Sequence, residues 1–121
     1  MKIKRVKIEI KSLNDALKET GEVFEKLSKG KHVQKRTAIY FSNLKEMRKV
    51  LTEKRLELLK VIKDEKPASV YELAKITHRD LKNVLQDLTY LKQLGLVDIT
   101  TTRDKKVPEV SYDKIAFEVA I

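Results

Sequence analysis

SVYELAKITHRDLKNVLQDLTYLKQLGL, residues 69–96, is the stretch of sequence that decides the fold. It contains two patterns typical of helix starts, Ser69-x-x-Glu72 and Thr77-x-x-Asp80. In such a capping box the hydroxyl accepts a hydrogen bond from one free backbone N–H of the first turn, and the carboxylate accepts from another. The stretch therefore predicts two helices, one beginning after each box.

The spacing of the boxes sets the lengths of the two helices. Their starts lie eight residues apart, which leaves room only for a short first helix over about 70–76. The second helix is predicted over about 78–94, and Gly95 follows it, where a left-handed C-cap favours glycine. A short helix, a tight turn and a longer helix make a helix-turn-helix.

The second helix has two contrasting faces. Apolar residues at i, i+3, i+4 and i+7 spacing predict one buried stripe, formed by Leu81, Val84, Leu85, Leu88 and Leu91. The opposite face has no acidic residue and carries Arg79, Lys82, Asn83, Gln86, Tyr90 and Gln93. Such side chains contact base edges and phosphates in a major groove. The same face is equally typical of a solvated amphipathic helix, so this helix alone does not decide between them.

A β-hairpin is predicted directly after the second helix, over about 97–111. β-Branched residues indicate one strand over 96–101, and alternation indicates another over 107–111. Pro108 has no N–H to donate, so we expect it near a strand start or on an edge. Three basic residues lie near the tip: Arg103, Lys105 and Lys106. A helix-turn-helix followed directly by such a hairpin, called the wing, is a winged helix. For the three basic residues at the tip we favour contact with DNA over a merely solvated loop.

Residues 50–99 resemble winged-helix regulators of the MarR/ArsR type. They resemble more closely an archaeal family identified as winged helix-turn-helix transcriptional regulators. The matching motifs are FSNLKEMRKVLTEKRLELL from Phe41, RDLKNVLQDLTYL from Arg79, QLGLVD from Gln93 and SYDKI from Ser111. Leu85 and Gln86 stand where that family often has His and Arg. The resemblance implies a regulator that binds double-stranded DNA, usually as a dimer, and it implies no catalytic residues.

The flanking sequence predicts further elements around the winged helix. Strands are expected over 3–10, 35–41 and 115–121, a loop over 30–34, and helices over 12–29, 43–51 and 53–64. The three strands could form one sheet or pair across a dimer. The predicted fold is α+β, a winged helix-turn-helix with an extra N-terminal strand and helix and a C-terminal strand. We expect a dimerisation element over 1–41 and a DNA-binding domain with the C-terminal strand over 42–121.

Composition narrows the class of protein. The 121 residues include 27 Lys plus Arg and 18 Asp plus Glu, a formal charge of +9 that suggests a polyanionic partner. Charge alone is also explained by a generally Lys-rich surface on a soluble protein. With no Cys, only His32 and His78, and three scattered glycines, we expect no enzyme, metal site or phosphate-binding loop. No apolar run approaches a membrane span, so we expect a cytoplasmic protein.

The sequence therefore predicts a sequence-specific regulator that binds double-stranded DNA as a homodimer, without a cofactor. The expected DNA-binding residues are Thr77, His78, Arg79, Lys82, Asn83, Gln86, Tyr90, Arg103, Lys105 and Lys106. His78 is equally well explained as a surface residue or as a phosphate donor. A non-specific architectural or RNA-binding protein and a protein-interaction module are the alternatives. Asn83 and Gln86 favour sequence-specific binding, because amides pair bidentately with adenine. No effector ligand is indicated.

Overall fold

The computed structural model describes residues 4–10, 33–35 and 38–119. Over these residues the fold is α+β, with four helices and six strands. In chain order the elements are β1 (Arg5–Ile10), β2 (Val33–Lys35), β3 (Ala38–Phe41), α1 (Leu44–Val50), α2 (Glu53–Glu65), α3 (Val70–Thr77), α4 (Leu81–Leu94), β4 (Asp98–Thr102), β5 (Lys105–Glu109) and β6 (Lys114–Val119). The helix predicted over 12–29 lies outside the described residues.

The chain divides into two units, which differ from the predicted division at residue 41. One unit combines Met1–Val50 with Tyr112–Ile121, and the other is Leu51–Ser111. The C-terminal strand was expected to accompany the second domain. It belongs to the first unit because β6 pairs along its whole length with β1.

The first unit contains a four-stranded sheet of order β2-β3-β1-β6. β1 runs parallel to both β3 and β6, while β2 is antiparallel to β3. Ile8 pairs with Ile39 on one side and Phe117 on the other, and both isoleucines are almost completely buried. The three predicted strands therefore share one sheet. The segment predicted as one strand over 35–41 instead supplies β2 and β3, and β2 extends into the predicted loop.

The opposite face of this sheet is polar, as the alternation of β1 predicts. The Lys7 ammonium lies 3.2 Å from carboxylate oxygens of both Glu9 and Glu118. Hydrogen bonds to these two carboxylates raise the pKa of Lys7 above its ordinary value of 10.5. Burial raises the pKa of Tyr40 above its ordinary value of 10.0, with Glu9 adding to the effect. On this face Lys7 therefore forms ion pairs with two glutamates of the same sheet.

The second unit is built on α2, α3 and α4. Thr52 caps α2, its hydroxyl accepting from the Arg55 N–H at 3.3 Å, and Lys66 ends the helix in a left-handed conformation before Pro67. The predicted helices over 43–51 and 53–64 are confirmed as α1 and α2 to within about one residue at each end. Buried leucines, isoleucine and valines from the three helices form the core: Leu58, Leu59, Ile62, Val70, Leu73, Val84, Leu88, Leu91 and Leu94.

Only the first of the two predicted capping boxes forms. The Ser69 hydroxyl accepts from the Glu72 N–H at 3.1 Å, and the Glu72 carboxylate accepts from the Ala68 N–H at 2.8 Å. The predicted Thr77-x-x-Asp80 box does not form, since α4 begins at Leu81 with Asp80 as its N-cap. His78 ends α3 in a left-handed conformation, so the chain needs the residues up to Asp80 for the turn between the helices.

The buried stripe of α4 is narrower than predicted. Val84, Leu88, Leu91 and Leu94 are buried, whereas Leu81 and Leu85 are 37% and 38% exposed. The prediction was wrong for these two leucines because α4 packs through the arc centred on Val84, Leu88 and Leu91. Leu81 and Leu85 fall beside that arc and remain at the surface.

The predicted hairpin is present as β4 and β5, with longer strands towards the tip and a shorter turn than predicted. Its turn is two residues long, Arg103 and Asp104, both with positive φ (51° and 65°). A right-handed strand twist favours such turns. The strands therefore reach closer to the tip than predicted: β4 ends at Thr102 and β5 begins at Lys105. Pro108 is buried opposite Ile99, and β5 packs against α2 and α3.

Candidate nucleic-acid interface

The exposed face of α4 is the centre of the candidate interface. Its exposed polar residues, none of them acidic, are Lys82, Asn83, Gln86, Thr89, Tyr90 and Gln93. At about 100° per residue they cover an arc of roughly 120°. Lys82, Asn83 and Gln86 lie in the first half of the helix. The face thus offers cationic and amide groups with their side chains open to solvent.

Arg79 does not belong to this face, although the sequence pattern assigned it there. It lies in the turn before α4, and its Nη2 is 2.6 Å from Oδ2 of Asp87. Arg55 of α2 occupies the other oxygen, with Nε 3.0 Å from Oδ1. The three side chains are only 12–21% exposed. Asp87 therefore holds Arg79 in a half-buried ion-pair cluster instead of leaving it free for a ligand.

The same cluster supports Tyr90. The Arg55 guanidinium carbon lies 4.2 Å from the centroid of the Tyr90 ring, a distance typical of a cation–π contact. Arg55 thus connects the ion pair to the exposed face of α4. The sequence did not indicate Arg55, because it lies on another helix, 32 residues before Asp87. The only indication of a basic partner on another helix was Asp87 itself, the one acidic residue of α4.

The turn residues Thr77 and His78 differ in what they offer. The Thr77 hydroxyl donates to the carbonyl oxygens of Leu73 at 2.9 Å and Ala74 at 3.3 Å, so its proton is directed into α3. His78 is exposed, and its backbone N–H donates to the carbonyls of Ala74 and Lys75. Of the two side chains, the His78 imidazole is therefore better placed to contact a ligand at the surface.

The tip of the β4–β5 hairpin carries the remaining predicted residues. Arg103 lies in the turn, Lys105 is opposite Thr102, and Lys106 is opposite Thr101. All three basic residues are exposed. Successive strand residues point to opposite faces, so Lys105 and Lys106 present their ammonium groups on different sides of the ribbon. Asp104 in the turn offsets one of the three positive charges.

The chemistry available on these surfaces is hydrogen bonding and charge. Among the described residues, no group of three or more His, Asp or Glu side chains is arranged to hold a metal ion. None of the described helices is long and apolar enough to cross a membrane. The basic side chains on α4 and the hairpin can bind anionic groups. The side-chain amides of α4 can pair with a group that offers both a hydrogen-bond donor and an acceptor.

Comparison with curated proteins finds no match. The HVO_A0114 family matches residues 50–117, which include α2, α3, α4, β4 and β5. The matched segment contains the whole second unit and exceeds half of the 121 residues. The chain therefore belongs to the HVO_A0114 family.

Proposed function

We propose that this protein is a sequence-specific regulator that binds double-stranded DNA through a winged helix-turn-helix of the MarR/ArsR type. In this proposal α4 enters the major groove as the recognition helix, and the β4–β5 hairpin is the wing. The order of elements supports it, because a short helix, a tight turn, a longer helix and a hairpin follow one another without interruption. The formal charge of +9 supports a polyanionic partner.

The observation that carries the proposal is the absence of free negative charge on α4. Asp87 is the only acidic residue of this helix, and two arginines occupy both of its carboxylate oxygens. A phosphate backbone approaching the polar face of α4 therefore meets Lys82 and amides, and the exposed carboxylate of the N-cap residue Asp80 lies outside that face. Asn83 and Gln86 favour base recognition, because a protein that binds only the backbone would gain more from Lys or Arg at these positions.

The proposal includes a homodimer, a cytoplasmic location and no enzymatic activity. One recognition helix contacts few base pairs, whereas two related by two-fold symmetry, about 34–36 Å apart, recognise a palindrome. The DNA-contacting residues in this proposal are His78, Lys82, Asn83, Gln86, Tyr90 and the tip residues Arg103, Lys105 and Lys106. Thr77 and Arg79 contribute by shaping the turn.

Selection of bound sequences from random duplex DNA tests the proposal first, followed by alanine substitutions. Gln86→Ala or Asn83→Ala should cost about 1–3 kcal/mol on the selected duplex and almost nothing on a random one. Gln93→Ala is the matched control. It removes the same amide from the same face, near the end of the helix, where a docked recognition helix has left the base edges.

Three results would contradict this function. Equal losses on selected and random duplexes for Gln86→Ala and Asn83→Ala would indicate backbone binding by an architectural protein. Tighter binding to single-stranded RNA than to duplex DNA would favour the RNA-binding alternative. No binding to duplex DNA at low salt would leave a protein-interaction module as the better explanation.

A further inference from the structure

Two leucines lie exposed on α4 beside the polar residues of the candidate interface. Leu81 and Leu85 are 37% and 38% exposed, although their spacing places them next to the buried stripe. An exposed leucine costs free energy unless a ligand covers it, at about 25 cal/mol per Å² of apolar surface. Leu85 follows Lys82 by three residues, so a ligand that extends over the Lys82 side of the polar face reaches it.

Helical geometry places Leu85 at the edge of the amide-bearing face. At about 100° per residue, it lies roughly 60° from Lys82 and roughly 100° from Gln86 around the helix axis, whereas Asn83 is roughly 160° away on the far side of that face. Thr89 lies one turn after Leu85, and its hydroxyl donates to the Leu85 carbonyl oxygen at 2.9 Å. The hydroxyl proton is thus used within the helix, and Thr89 adds a methyl group one turn from Leu85.

We propose that Leu85, aided by Leu81, contacts the C5-methyl groups of thymines, while Gln86 pairs with an adenine. This inference rests on the proposed function and names its target as A·T-rich duplex sites. Thymine is the only base that presents a methyl group in the major groove, and adenine alone presents the N7 acceptor with the N6 donor that suits an amide. An A·T pair therefore offers both kinds of contact to neighbouring side chains of one helix.

The arrangement favours DNA over a protein as the ligand of these leucines. Protein-docking patches are usually continuous apolar areas of several hundred Å². Here the exposed leucines form only a pair at i, i+4 spacing, flanked by the exposed Lys82 and Lys92, and the adjoining polar face carries amides and no free carboxylate. Apolar groups embedded in a cationic, amide-rich surface are complementary to the methyl-bearing edge of a polyanion.

Replacement of thymine by uracil in the selected duplex tests the inference directly. Uracil lacks only the methyl group and keeps the base pairing, so wild-type affinity should fall about fourfold for each contacted methyl. Leu85→Ala should bind the thymine duplex more weakly and lose the discrimination between thymine and uracil. Leu44→Ala, which shortens an equally exposed leucine on α1, should retain the full discrimination.

The outcomes separate this inference from the proposed function. Wild-type protein that prefers its selected duplex but binds thymine and uracil forms equally would overturn the leucine contact and leave the regulator intact. A selected site rich in G·C pairs, or undiminished discrimination by Leu85→Ala, would do the same. Lack of any sequence preference would remove the proposed function itself. The uracil comparison uses unaltered protein, so it remains decisive even where a substitution affects folding.

Discussion

Asp87 determines which basic groups near α4 are available to a ligand. Its carboxylate binds Arg55 and Arg79, and Arg55 in turn contacts the Tyr90 ring. One half-buried aspartate thereby withdraws two arginines from the surface and orients an aromatic ring. Lys82 and the hairpin tip then supply the exposed cationic side chains of the candidate interface.

Asp87→Ala should destabilise the protein by about 1–3 kcal/mol, because it leaves two half-buried guanidinium groups without their carboxylate. Thermal or urea unfolding measures the change in the free energy of unfolding. Asp64→Ala, which removes an exposed carboxylate from α2, is the control and should change stability by no more than about 0.5 kcal/mol. Equal stability of the two variants would show that the cluster contributes little.

At the residue scale, sequence predicts contacts that are local and misses those that are not. The Ser69 box forms as predicted, because all of its partners lie within four residues. Thr77 fits the same pattern but donates back into α3, since the left-handed residue His78 delays the next helix. The Arg55–Asp87 pair joins different helices, so no local pattern indicates it, and Arg79 was assigned to the wrong surface.

Among the elements, the β4–β5 hairpin is the clearest candidate for backbone anchoring. Replacing Lys105 and Lys106 together by alanine should weaken selected and random duplexes alike, because phosphate contacts are independent of sequence. The slope of log K against log salt should become shallower by about one unit for each phosphate that a subunit no longer neutralises. Lys60→Ala removes an exposed lysine from α2 and is the control.

The opposite orientation of the two lysines sharpens this experiment. The lysine on the side of the ribbon that faces the duplex should account for most of the change in slope. Lys105→Ala and Lys106→Ala, made separately, should therefore differ in their effect on the slope. An unchanged slope in the double variant would mean that the tip is merely solvated. The phosphate contacts would then come from other basic segments, with β1 the next candidate.

The types of the elements were more predictable than their pairing. Period-two alternation indicated β1 and β6, yet only the structure shows β6 beside β1, because strand order depends on contacts between residues more than 100 positions apart, as between Lys4 and Asp113. The hairpin turn was predicted too long because Arg103-Asp104 lacks the Asn-Gly signature of a two-residue turn. The buried stripe of α4 was predicted too wide for a similar reason, since its partners are not adjacent in sequence.

For the whole molecule, the net charge of +9 predicts a strong salt dependence of duplex binding. If a dimer neutralises about 4–8 phosphates, log K should fall with log salt at a slope of roughly −4 to −7. Fluorescence anisotropy with a labelled duplex at several salt concentrations measures the slope. An affinity that stays constant between low and moderate salt would be incompatible with the proposed interface.

The exposed edge of the first unit bears on the predicted homodimer. Phe117 and Val119 of β6 are 49% and 52% exposed and share a face with the buried Ile8. Among the described strands β6 is the last of the sheet, and a homodimer could add a second β6 along its outer edge. Antiparallel pairing of two β6 strands centred on Ala116 would set Lys114 of one copy opposite Glu118 of the other.

Such pairing predicts a homodimer at micromolar concentration, with contacts from the terminal strands and from the segment predicted as a helix over 12–29. Phe117→Lys should shift the protein toward monomer, because it brings two ammonium groups close together across the two-fold axis and removes apolar area at the shared edge. Tyr71→Lys, which alters an equally prominent exposed ring in the second unit, should leave the dimer intact. Light scattering with and without duplex DNA measures both. A monomeric wild-type protein under both conditions would rule out the dimer, and with it the recognition of a palindrome by paired α4 helices.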